Sequence, residues 1–281
     1  MPENSGRYQQ HNRRNQKKEC PVIDENNVVL KSFQSYGLEL DAKHDRNERI
    51  VKLSRDITIE SKRIIFLLHS IDIRKNNKEK VLQEAQTRLE KVISTNFKAV
   101  AEELCGHDPY QFRWAYSPGL QEFIEAYTFM EYIKNAEYDE SCSGGSDAEM
   151  SDWTELQKKM TYSKKSEDNE EEFSFFIDPT EYILGVSDLT GELMRRCIIS
   201  LGSGEIVFCL IAKMILQKIF TGYIGLNVHR CRELSRKIFT MRQSVLKAEN
   251  VCYNVKVRGC EAAKWKDIFD NKPGDDIDEG F

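Results

Sequence analysis

The chain has 281 residues, with 41 Lys+Arg against 46 Asp+Glu, a formal net charge of −5, and only six Pro and 15 Gly. The length and apolar fraction allow a sizeable core, and the scarcity of turn residues argues against an all-β fold. No uncharged apolar run approaches the roughly 18 residues of a membrane span, and the polar, basic N-terminus excludes a secretory signal, so a soluble intracellular chain is expected.

Charge is unevenly placed. Residues 137–172 hold 12 acids and four lysines, and residues 267–281 hold six acids and one lysine, so the rest of the chain is net positive. Residues 1–30 are expected to be a basic disordered head, 139–172 an acidic disordered insertion, and 267–281 an acidic tail. A single helical domain should span 31–266. The eight cysteines contain no CxxC pair, so they are read as reduced, space-filling thiols.

In chain order, the first helix is predicted from Glu39 to about Arg74, with Ile50, Leu53, Ile57, Ile64, Leu68 and Ile71 on one stripe. A second runs from Lys78 to Cys105 and stops at Gly106. A third starts with Ser117 as cap and Pro118 at the first helical position. After the short alternating run EEFSFFI, a fourth begins at Asp178-Pro179-Thr180-Glu181, which has the form of a capping box. A basic helix follows, with Leu234, Ile238, Met241, Val245, Ala248, Cys252 and Val255 in heptad spacing and Lys237 among its cations. Those cations are read mainly as a solvated face, with RNA phosphates as the functional alternative. The fold class is all-α.

Two helices carry the features with chemical meaning. On the helix from Pro118 a wheel places apolar residues nearly all round, with Glu122 and Glu125 embedded among them, so both faces should be enclosed. On the helix from Pro179, Asp188 and Glu192 are like charges one turn apart, beside Gly185 and Gly191, which would let a ligand approach. If the four carboxylates converge they need neutralising, and oxygen-only ligands select Mg²⁺, with Mn²⁺ as the second choice. Such a centre suits phosphodiester hydrolysis. A di-iron centre needs Glu-x-x-His pairs, and none occurs. His69 is read as a satisfied core or interface histidine.

KSFQSYGLELDAKHDRNERIVKLSRDITIESKRIIFLLH, PGLQEFIEA, EYILGVSDLTGELMRRCI and LKAENVCYNVKVRG closely resemble the translin family, in its translin-associated X branch, over about Lys31 to Cys260. The resemblance implies a bundle of about seven long, antiparallel helices that joins translin in a hollow hetero-oligomeric barrel. It further implies a Mg²⁺-dependent endoribonuclease site for single-stranded RNA, with single-stranded DNA as a second ligand. The complex would degrade the passenger strand with silencing-complex components, in cytoplasm and nucleus. The family's catalytic, metal-holding acids match Glu122, Glu125, Asp188 and Glu192. The alternative is a non-catalytic scaffold that stabilises translin and recruits partners.

Overall fold

A computed structural model describes residues 27–135, 152–165, 170–202, 205–226 and 231–270. The basic head up to residue 26, the insertion over 136–151 and the tail from 271 lie outside the described residues. The chain divides into two compact units, Met1–Asp45 and Arg46–Phe281. The described part of the first is the opening of helix α1 (Val28–His69), where Asn27 Oδ1 accepts the Val29 N–H at 2.9 Å as a cap. Phe33, Tyr36 and Leu40 are exposed along this stretch, and the Phe33 and Tyr36 rings meet edge to face at 6.3 Å.

In the second unit, α1 continues with Ile50, Ile57, Ile64 and Leu68 buried on the expected stripe. Then come α2 (Lys78–Val92), α3 (Lys98–Leu104), α4 (Arg113–Asn135), α5 (Trp153–Lys159), α6 (Pro179–Gly202), α7 (Ile206–Ile224) and α8 (Arg232–Asp270). A π-helical turn over Ile93–Phe97 joins α2 to α3. Ile93 and Phe97, at its two ends, are both buried in the core. Counted through that turn, α2 and α3 are one helix, and the described residues form seven helices, as expected. Gly106 ends the run with φ +74, a conformation that favours glycine.

Several boundaries differ from the sequence expectation. Helix α4 begins five residues before Pro118, because the start signal lies upstream. Asp108 Oδ1 accepts the Tyr110 N–H at 3.0 Å, and Pro109 opens a short 3₁₀ turn that leads straight into α4. Ser117 does not cap, since its hydroxyl donates to Glu181 across to α6 at 2.6 Å. At α6, Asp178 Oδ1 caps the Thr180 N–H at 2.8 Å, and Glu181 turns inwards, where the carboxylate is buried.

The disordered insertion expected over 139–172 is corrected for part of its length. Trp153–Lys159 is helical, and β1 (Thr161–Lys165) pairs antiparallel with β2 (Glu170–Ser174) in a two-stranded hairpin. Its few apolar residues suffice to anchor it. Leu156, Met160, Phe175 and Ile177 are fully buried, and the Tyr162 hydroxyl donates to the Ile93 carbonyl at 2.8 Å in the π turn.

Helix α7 has no counterpart in the sequence reading, because its apolar residues fall on all sides and leave no stripe to detect. By length and composition alone it is apolar enough to cross a membrane, although Lys213 and Lys218 interrupt it. Here it packs on α6 and α8 through Cys209, Ala212, Leu216 and Tyr223. Ile206, Val207, Leu210 and Ile224 remain exposed.

Helix α6 is packed on α4, α7 and α8. Its approach to α4 depends on Gly185, where a Cβ would stand 2.6 Å from Ile124 Cβ and 3.0 Å from the Gln121 carbonyl oxygen. This glycine serves helix packing and not ligand approach, which corrects the expectation. A Cβ at Gly191 would meet nothing within 4 Å. Gly185→Ala is therefore expected to destabilise the fold by about 1–3 kcal/mol. Gly191→Ala should stabilise it by about 1 kcal/mol through helix propensity. Urea unfolding of the two variants checks the contrast.

Candidate active site

Glu122 and Glu125 stand on α4, and Asp188 and Glu192 stand one turn apart on α6, on either side of the Gly185 contact. Glu125 senses the other three acids electrostatically. Burial pushes the Glu125 carboxyl up to about 8, and the charges of Asp188, Glu122 and Glu192 add to the rise. Burial likewise raises Glu122, against the Lys62 ammonium, and raises Asp188, against the Lys237 ammonium. The four do not form a closed cage. Among the described residues, no three carboxylate or imidazole ligand atoms lie within 4.8 Å of one another.

Three of the four acids have cationic or imidazole partners. Lys62 Nζ lies 3.6 Å from Glu122, and Arg195 lies 3.3 Å from Glu192. His69 Nε2 is 2.5 Å from Glu192 Oε2. Glu125 receives no hydrogen bond or ion pair at its carboxylate from the described residues. Its ionised form must therefore be compensated by a bound cation or by a proton.

The His69 side chain is buried as expected, and the sequence reading missed that its imidazole meets Glu192. Its ring lies on Phe129 with centroids 4.8 Å apart, and its Nδ1 is buried without a hydrogen-bond partner. The available signal was a titratable residue directly after the buried Leu68, at the end of an apolar run.

Lys237 is the second residue that the sequence reading missed. Its ammonium donates to Asp188 Oδ2 at 2.5 Å, Gln121 Oε1 at 2.8 Å and the Leu184 carbonyl at 3.1 Å, which uses all three of its N–H donors. A basic run on a long helix carries no sign that one lysine turns inwards, because the rotation of α8 against α6 is a tertiary property. Behind it, Gln121 Nε2 donates to Glu181 at 2.7 Å, and Arg113 Nε donates to the same carboxylate at 2.6 Å. A chain of hydrogen bonds thus runs from Arg113 through Glu181, Gln121 and Lys237 to Asp188.

This donor set fits a hard divalent cation such as Mg²⁺ or Mn²⁺. It consists of oxygens only, it is partly desolvated, and it contains one carboxylate without a counter-charge. The spread of the four acids suits an ion that keeps several waters and takes one or two carboxylates.

The pH dependence follows from Glu125. A carboxyl whose folded pKa lies above its unfolded value favours folding below the unfolded value, near 4.5, and loses that contribution as pH rises towards about 8. In the absence of divalent ions, Glu125→Gln should therefore unfold at higher temperature than the wild type at pH 9, by roughly 2–4 kcal/mol in stability. The gap should close towards pH 4.5. Thermal melts across that range measure it.

Comparisons with known proteins give the family and the fold. The model of the Translin family matches residues 45–259. The chain is 39% identical to Translin-associated protein X of Pongo abelii over 92% of this chain and 89% of that protein. It is 30% identical to the Translin-associated protein X homolog of Schizosaccharomyces pombe, over 80% and 87%. The crystal structure of apo-NeC3PO shares the fold with a TM-score of 0.56 at 21% identity, covering 82% of this chain and 97% of that one. The AfC3PO–duplex RNA complex does so with a TM-score of 0.54 at 18% identity, covering 82% and 98%. The chain belongs to the translin family.

Proposed function

We propose that this chain is the catalytic subunit of a hetero-oligomer with translin, acting as a Mg²⁺-dependent endoribonuclease on single-stranded RNA. The observation that carries the reading is Glu125, a largely buried carboxylate without an ion-pair partner, raised first by burial and then by three neighbouring acids. Likeness to a protein solved with duplex RNA supports a nucleic-acid ligand. In this reading the complex removes the passenger strand during RNA-induced silencing, with silencing-complex components as partners, in cytoplasm and nucleus. Single-stranded DNA would be a competing ligand.

Glu122, Glu125, Asp188 and Glu192 would hold the ion. When bound, it would supply positive charge at the scissile phosphate and lower the pKa of an attacking water. The protein's own contributions follow from the contacts described. Lys237 fixes the Asp188 carboxylate, and His69 fixes that of Glu192, so neither has to reorganise as charge develops on the phosphate. Glu125, whose carboxylate takes no hydrogen bond or ion pair from the described residues, keeps its oxygens available for the ion.

The exposed apolar face of α7 supports assembly. Val207 and Leu210 lie on it, one turn apart, where a partner helix would be buried. The double change Val207→Glu and Leu210→Glu should split the complex, seen as a smaller particle in light scattering, and leave the helical circular dichroism intact. The same face is what a non-catalytic scaffold would need.

Cleavage of a labelled single-stranded RNA separates the two readings. With chain and translin co-purified, activity should require Mg²⁺ and stop with EDTA. Asp188→Asn keeps an acceptor for Lys237 and so keeps the fold. It should lose more activity than the roughly 10–100-fold typical of losing a group that merely supports a metal ligand. Equal cleavage by both proteins would assign the chemistry to the partner and leave this chain as the scaffold.

A further inference from the structure

Away from the carboxylates, three cysteines meet in the core. Cys197 of α6, Cys209 of α7 and Cys252 of α8 place their sulfurs 3.1, 3.3 and 3.8 Å apart, and all three are buried. This is more than scattered space-filling. Each thiol comes from a different helix, and two of the separations fall below the ~3.5–4.0 Å of an ordinary non-bonded carbon contact. They are free thiols, and burial holds the Cys252 thiol up at about 11 and raises Cys197 as well. Such thiols are poor nucleophiles, so oxidative or catalytic use is disfavoured.

Metal coordination suits the geometry. A triangle with these edges has a point in its plane about 2.0 Å from all three sulfurs, against a metal–sulfur bond of about 2.3 Å for a d¹⁰ ion such as zinc. An ion about 1.1 Å above the plane would therefore reach all three at bonding distance with the sulfurs where they stand. Coordination would release the thiol protons, the usual coupling of thiolate sites to pH. No carboxylate or imidazole of the described residues joins the group as a fourth donor. Closed structural zinc sites take four ligands, and soft thiolates also select Cu⁺, so three buried thiols without a fourth donor favour copper(I).

We propose that Cys197, Cys209 and Cys252 form a thiolate site for a soft monovalent cation, Cu⁺, that ties α6, α7 and α8 together. The site is independent of the carboxylate centre and of the ribonuclease reading.

The test uses the full chain co-purified with its partner, loaded with Cu⁺ under a thiol-free reductant and desalted in the presence of a moderate Cu⁺ chelator. Copper and zinc per chain are measured by atomic emission. About one Cu⁺ should be retained by the wild type and by Asp188→Asn, and Cys209→Ser and Cys252→Ser should each lose at least tenfold. X-ray absorption of the loaded wild type should show three sulfur neighbours, a readout that does not depend on the variants folding. The site is refuted by a wild type that retains no copper, by retention of zinc in its place, by unchanged retention in both serine variants, or by nitrogen and oxygen neighbours at the bound copper.

Discussion

The close approach of α4 and α6 at Gly185 is the constraint on which the rest depends. With hydrogen in place of a side chain, the α6 backbone can lie against Ile124 and the Gln121 carbonyl. That contact sets the spacing at which Glu122 and Glu125 face Asp188 and Glu192. Wider spacing would relieve the repulsion among the acids, and it would also open the core between Phe123, Ile124, Leu184 and Leu189, all fully buried. Apolar packing therefore holds together charges that would otherwise separate.

The polar chain behind the site keeps this arrangement specific. Glu181 is buried and accepts from Arg113, Ser117 and Gln121, so the amide of Gln121 is oriented before it meets Lys237. Lys237 then links α8 to α4 through the Gln121 amide oxygen and to α6 through the Asp188 carboxylate. A buried charge left without its partner costs several kcal/mol, so breaking any member strains the next. The same logic makes the core sensitive to the rotation of α8, whose Arg232, Arg236, Arg242, Lys247, Lys256 and Arg258 are exposed.

What was legible in the sequence follows the range of each interaction. The stripes of α1, α2 and α8 and the four acids were readable, because helical spacing puts them on one face within a single segment. The π turn had no signal, since the helix was read as continuous from Lys78 to Cys105. Helix α7 was lost, since a helix apolar on every side has no phase. The hairpin was lost because the acidic composition of 139–172 masked the few residues that anchor its first half, Leu156, Met160 and Tyr162 among them, and only the run EEFSFFI hinted at its second strand. His69, Lys237 and the meeting of the three cysteines were beyond reach for a different reason. Each depends on how two or three helices are rotated against one another, and one sequence does not encode those angles in any local pattern.

The π turn also determines where the chain can change length. Lys98 N–H reaches back five residues to the Ile93 carbonyl, which also accepts the Tyr162 hydroxyl. One residue removed within 93–97 would restore ordinary helical winding without rotating α3 against α2, because a π turn holds one residue more than the α-helical register needs. The stripe Val81–Val92 would stay in line with Val100 and Leu104. Elsewhere in these helices a single deletion would turn every later side chain by about 100° and expose the core. This loop of backbone is thus a point of indel tolerance inside a long helix, and the tyrosine of the hairpin is the contact that such a shortening would put at risk.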